Sequence, residues 1–142
     1  EPAIDKEAPY PLDQDTSRAD AFAYWFPSDK SVFVAEDGGQ VLGTYYLKAN
    51  STGPAAHVAN AGYMVHPQAR GRGIARTMAQ DSFERARARG FLAMQYNLVV
   101  PTNTGALRLW RAIGMEEVGR LPRAFRHPEH GLVDAVVMYR LL

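Results

Sequence analysis

A chain of 142 residues, 46% hydrophobic and 22% charged, can bury one core, which excludes a disordered or fibrous polymer. A net charge of +1 supplies no field drawing it to nucleic acid or an anionic membrane, and the absence of cysteine excludes disulfides and a thiol nucleophile. No apolar run reaches the length of a bilayer span and no signal peptide is visible, so the expected compartment is the cytoplasm and the expected organisation a single domain over 1–142.

Residues 1–14 read as an irregular lead-in, with Pro2, Pro9 and Pro11 and no clear period. Asp15-Thr16-Ser17 can cap a helix carrying Ala19, Phe22, Ala23 and Phe26 at helical spacing, ended by Pro27. Ser31–Ala35 and Val41–Leu47 are expected strands joined by a hairpin at Asp37-Gly38-Gly39. A loop over Ala49–Ala55 leads to a third strand, His57–Val65. The next helix runs from about Gly71 to Arg89, with Ile74, Ala75, Met78, Ala79, Phe83 and Ala86 on one face and Gly90 after its end. Phe91–Val100 is a nearly continuous apolar run, suited to a strand covered on both faces. Pro101-Thr102-Asn103 opens a second helix that closes at Gly114. A strand over Met115–Gly119, a loop containing Pro122, Pro128 and Gly131, and a last strand over Leu132–Leu142 complete the reading. The order predicts an α/β protein with a mixed, mostly antiparallel twisted sheet, helices on both faces, and a parallel pair formed by the strands around the long helix.

The stretch Tyr63–Ala75 (Y-M-V-H-P-Q-A-R-G-R-G-I-A) joins that third strand to that helix. Pro67 stops the ladder, because it has no N–H and disfavours α geometry at His66. Gly71 and Gly73 permit a sharp turn that leaves N–H groups uncovered at a helix start, where the macrodipole favours an anion. Arg70 and Arg72 add positive charge there. A phosphate or pyrophosphate is the expected guest; an ordinary strand–helix connection with two glycines is the alternative. Ile74-Ala75 stand where a Walker loop needs Lys-Ser/Thr, and only G-R-G of a dinucleotide fingerprint is present.

Q-A-R-G-R-G resembles the Gln/Arg-x-x-Gly-x-Gly/Ala signature of the GNAT N-acetyltransferases. A second segment, N-T-G-A-L-R-L-W-R-A-I-G-M over Asn103–Met115, is similar to that family's Asn-x-x-Ala-x-x-Leu-Tyr-x-x-x-Gly-Phe. The resemblance spans roughly residues 30 to 142. It implies a GNAT-like sheet lacking its first strand and helix, since Glu1–Pro11 is too short for both. It also implies acetyl-CoA as co-substrate, with Met64 and Val65 pairing with the pantetheine arm. Arg70, Gly71, Arg72, Gly73, Ile74 and Ala75 would hold the pyrophosphate, and Asn103 and Ala106 would hold further coenzyme groups.

Trp110 replaces the tyrosine that in the family returns a proton to the thiolate. An indole N–H donates a hydrogen bond but is no proton reservoir. With thiols titrating near 8.5, weakened assistance is expected and not a dead enzyme. Simple core packing is the other reading of Trp110. An alkylammonium is neutral about once in 10³ at pH 7, so a base would help. Counting back from Gln68, His57 falls where the histone-modifying branch carries its glutamate base; a histidine bonding a loop is the alternative. His127 and His130 lie in a loop that can approach substrate.

H-V-A-N-A-G-Y and Q-Y-N-L-V-V-P-T-N resemble the GNAT subgroup of fungal acetyltransferases of proline analogues such as azetidine-2-carboxylate. By that likeness Asn97 and Asn103 would hold substrate or coenzyme. An amide inside an apolar strand needs a partner, either a backbone neighbour or the substrate. Trp25, Phe26, Tyr45 and Tyr46 would wall the acceptor side by resemblance. The expected reaction is direct attack of a small amine or amino-acid-like acceptor on the thioester, because no cysteine exists to carry the acyl group. No metal is expected. The expected partners are a small-molecule amine, with homodimerisation allowed and neither nucleic acid nor membrane. The alternative, suggested by Trp110 and the short N-terminus, is a non-catalytic acyl-CoA-binding sensor.

Overall fold

The computed structural model of the chain describes residues 3–6, as backbone only, and residues 30–142. The strands are β1 (Ala3–Lys6), β2 (Ser31–Asp37), β3 (Gln40–Ala49), β4 (Val58–Val65), β5 (Ala93–Val99), β6 (Glu116–His127) and β7 (Gly131–Leu141), and the helices are α1 (Ile74–Ala88) and α2 (Thr104–Ala112). They form one sheet in the order β1-β2-β3-β4-β5-β7-β6. Only β4 and β5 run parallel among these pairs, with α1 as the crossover. The mixed, mostly antiparallel sheet agrees with the reading from sequence.

The glycine turn between β2 and β3 sets a register in which Phe33 faces Tyr45 across the hairpin. α1 buries Ile74, Met78, Ala79, Ser82, Phe83 and Ala86, spacings that keep one stripe against the sheet. Those side chains meet Phe33, Tyr45, Ala59, Met94 and Met138 in a continuous core. Each fully buried Phe or Met there contributes about 1.5–3 kcal/mol. Tyr45 donates its hydroxyl to Asp81 Oδ2 on α1 at 2.6 Å, and the Tyr63 ring meets Trp110 of α2 with centroids 5.2 Å apart. Both described helices therefore pack on one face of the sheet. The helix expected over 15–26, with Trp25 and Phe26, lies outside the described residues.

Two expectations change. Ala3–Lys6, in the stretch expected to be irregular and too short to supply both a first strand and a first helix, pairs antiparallel with β2. Four residues carry too little alternation to register as a strand; the unpaired edge of β2 decides their conformation. The stretch expected as a loop, 120–131, belongs mostly to β6, which continues to His127. Its ladder with β7 absorbs Pro122 in a register shift between Leu121 and Phe125. Arg123 takes φ 54° there, and its N–H donates to Asp134 Oδ1 at 3.0 Å. β6 is largely exposed, so no apolar alternation marked it.

Candidate functional site

β4 pairs with β3 as far as Val65, but with β5 only over Val58–Asn60 against Ala93–Gln95. From Ala61 onward the two parallel strands diverge. Asn50 N–H donates to Val58 O and His66 N–H to Leu42 O, both at 2.8 Å, so even-numbered β4 residues direct their backbone groups toward β3. The odd-numbered Ala61, Tyr63 and Val65 direct theirs into the opening. Of the two residues expected to pair with the pantetheine arm, Val65 directs its backbone groups into the opening, whereas Met64 is in the ladder opposite Thr44 and its neighbour Tyr63 takes the open position. A period of two made the shift of one residue invisible without the partner strand.

Beyond β4, Pro67–Ala69 forms a single 3₁₀ turn in which His66 Nδ1 accepts from the Gln68 N–H at 3.1 Å. His66 therefore holds the turn. Gly73 follows as the N-cap of α1 with φ 74°, a left-handed geometry that gives the helix no side-chain cap. The first-turn N–H groups, those of Ile74 and Ala75 among them, are left without that partner. Arg70, Arg72 and Arg76 are exposed around them. Arg72 lies 3.6 Å from Asp37, a solvent-exposed pair that is worth little and readily exchanged. An anion at this turn would meet donors, dipole and guanidinium groups together.

On the face bearing the helices, three hydroxyls meet where the strands part. Tyr63 and Tyr96 oxygens are 2.9 Å apart, and Tyr63 is 2.7 Å from Ser82 Oγ of α1. Ser82 spends its own proton on Ala79 O at 2.6 Å, so Tyr63 donates to Ser82 and Tyr96 donates to Tyr63. Burial raises the pKa of both tyrosines, so they remain protonated. Trp110 packs over this pair, its centroid 5.0 Å from that of Tyr96. Packing is therefore part of what Trp110 does.

The other face carries a polar row. Tyr46 donates to Asn60 Oδ1 at 3.0 Å, and Asn60 Nδ2 donates to Gln95 O at 3.0 Å. The buried Asn60 thus pins β4 to β5 at their last paired rung, Asn60 to Gln95. Its role was missed in the sequence; the available signal was one amide inside V-A-N-A-G. Gln95 Nε2 donates to Asn97 Oδ1 at 2.9 Å, and Asn97 Nδ2 to Asn50 Oδ1 at 2.8 Å. Asn97 is exposed and stands in the register shift between Tyr96 and Val99, so β5 is not covered on both faces as its apolar run suggested. Neighbouring side chains satisfy its amide. Tyr45, expected on the acceptor side, is fully buried against α1, and burial followed by its bond to Asp81 raises its pKa. Tyr46 takes the opposite face.

His57 is exposed and immediately precedes β4, its carbonyl accepting from the Leu92 N–H at 2.8 Å. Four residues of extended chain, about 13 Å, separate it from Ala61 at the opening. Asn103 caps α2 by accepting from the Ala106 N–H at 3.1 Å, so that N–H is engaged within the helix start. His127 Nδ1 accepts from the N–H groups of Glu129 and His130, which commits this imidazole to the β6–β7 turn. The hairpin continues past the Val99–Val136 rung to Gly131, about 16 Å beyond the end of β5.

Gly62 lies against the Tyr46 ring: a Cβ there would stand 2.5 Å from Cε2. Gly62→Ala is expected to push the ring off Asn60 and lower stability by about 1–3 kcal/mol, read as a drop in melting temperature. An unchanged melt would show that the ring moves freely and pins nothing.

Residues 3–115 match the family described as Acetyltransferase (GNAT) family. N-acetyltransferase aca1 of Schizosaccharomyces pombe is 36% identical over 98 residues, covering 68% of this chain and 47% of that protein. The chain thus spans about half the length of that relative. A GCN5-related N-acetyltransferase from Kribbella flavida superposes with a TM-score of 0.81 at 42% identity, covering 94% of this chain and 82% of that one. The yncA structure from Salmonella typhimurium, solved with its cofactor acetyl-CoA, shares the fold, with a TM-score of 0.75 at 19% identity and coverage of 91% and 76%. With the diverging parallel strands, the glycine turn and the uncapped helix start in place, the family match over residues 3–115 assigns this chain to the GNAT acetyltransferases.

Proposed function

We propose that the chain is an acetyl-CoA-dependent N-acetyltransferase acting on a small amine or amino-acid-like acceptor. The observation that carries this is the opening between β4 and β5, whose free backbone edge leads to the uncapped start of α1. Ala61, Tyr63 and Val65 offer that edge to the amides of a pantetheine arm, as an added strand would use it. Arg70, Gly71, Arg72, Gly73, Ile74 and Ala75 receive the pyrophosphate. Asn103 and Ala106, at the start of α2, border the same opening. Residues 1–142 act as one domain in this reading.

The acceptor approaches from the face of Tyr46, Asn60 and Asn97, with Trp25 as a further proposed wall. Its nitrogen attacks the thioester carbonyl directly. His57 serves as base through water, since about 13 Å of strand places it beyond direct hydrogen-bond reach of the opening. The amides and aromatic rings of this face suit a small zwitterion, and cyclic imino acids are the first acceptors to test. The measurement is release of free thiol from acetyl-CoA across a panel of amines. Preference for peptides or polyamines over small amino acids would overturn the acceptor assignment. Asn97→Ala is expected to raise KM for the accepted amine about tenfold while KM for acetyl-CoA stays within about twofold. Equal effects on both would remove Asn97 from the acceptor site.

Trp110 supports a second reading, a non-catalytic acyl-CoA sensor. That reading predicts coenzyme binding without thiol release for any amine in the panel.

A further inference from the structure

We propose that Tyr96 donates a hydrogen bond to the coenzyme sulfur as the thiolate leaves, a catalytic contact within the acetyltransferase reading above and dependent on it. Tyr96 is the first β5 residue past the last rung shared with β4, so its side chain stands where the opening begins. Trp110 covers it with centroids 5.0 Å apart, and an indole has one N–H and no hydroxyl to offer.

The direction of the hydroxyl chain makes Tyr96 the member free to act. Ser82 is committed to Ala79 O and Tyr63 to Ser82, so the two inner protons point into α1. Tyr96, itself buried, stands at the end of this chain, donating across 2.9 Å to Tyr63, an oxygen that keeps its own bond to Ser82 when Tyr96 turns away. Rotation about one C–O bond exchanges this neutral hydrogen bond for a charge-assisted one to sulfur, roughly twice as strong. Burial raises the pKa of Tyr96, which keeps the donor protonated while a thiolate forms beside it.

The step balances without proton transfer from the tyrosine. The C–N bond forms, the C–S bond breaks, and its electron pair goes to sulfur under the Tyr96 hydrogen bond. The proton shed by the acceptor nitrogen leaves to water through His57. The thiolate takes a proton from solvent after it departs, since thiols titrate near 8.5.

The test uses the whole chain with free coenzyme A, its bound thiol titrated by thiolate absorbance in the parent and in Tyr96→Phe. The thiol is expected to titrate at least about one pH unit lower in the parent than in the variant, a difference of about 1.4 kcal/mol. In turnover, kcat is expected to fall about tenfold with KM for acetyl-CoA within about twofold, the pattern of a contact made only during reaction. Coenzyme binding by the variant reports that it is folded. Equal thiol titration in both proteins overturns the role of Tyr96 alone. A parent that does not bind coenzyme A overturns the acetyltransferase reading and this contact together.

Discussion

Acetyl-CoA is expected to raise the melting temperature of this protein, and replacing Gly73 with valine is expected to abolish that rise. Ligand at 100 times its Kd adds about 2.7 kcal/mol to stability, a shift well outside the error of a melt. The effect passes through the start of α1, where Gly73 holds φ 74° and no side chain caps the first-turn N–H groups. A Cβ at Gly73 meets nothing within 4 Å apart from its chain neighbours, so the valine's side chain starts into open space. Its strain in left-handed geometry is about 1–3 kcal/mol, which lowers the baseline melt without preventing folding. Its branched side chain, however, covers the N–H groups that a pyrophosphate needs. ATP and NAD are expected to leave the parent unshifted. A parent indifferent to acetyl-CoA would end the coenzyme assignment, and a Gly73→Val protein that still responds would move the anion site elsewhere.

His57→Ala is expected to lower kcat/KM about 10²-fold, at the small end of what a general base supplies, because the proton must travel through water. Coenzyme affinity should change little, since His57 precedes β4 at the end where that strand is still paired to β5. Rates equal to the parent's would leave His57 with only its backbone bond to Leu92, and bulk water would then be the proton acceptor.

The sequence by itself determined the local devices. Pro67, Gly71 and Gly73 dictate a strand–turn–helix junction, because φ restriction and left-handed geometry act within a few residues. Pro101-Thr102-Asn103 announced the start of α2, and the spacing from Ile74 to Ala86 announced the buried stripe of α1. These signals need no partner to be legible.

Pairing between distant strands decided the rest. Which β4 residues face the opening depends on the register with β3 and on where β5 parts from β4, so Tyr63, not Met64, stands on the open edge. Adjacent Tyr45 and Tyr46 look interchangeable in sequence, yet one is buried against Asp81 and the other bonds Asn60 on the opposite face. Asn97 read as a buried amide because its neighbours are apolar, but a register shift exposes it. The strand at Ala3–Lys6 and the long arm of β6 exist because neighbouring edges offered hydrogen bonds, an opportunity no local period records. The hydroxyl chain from Tyr96 to Ser82 joins residues from β4, β5 and α1, and only the closed sheet brings them within 3 Å.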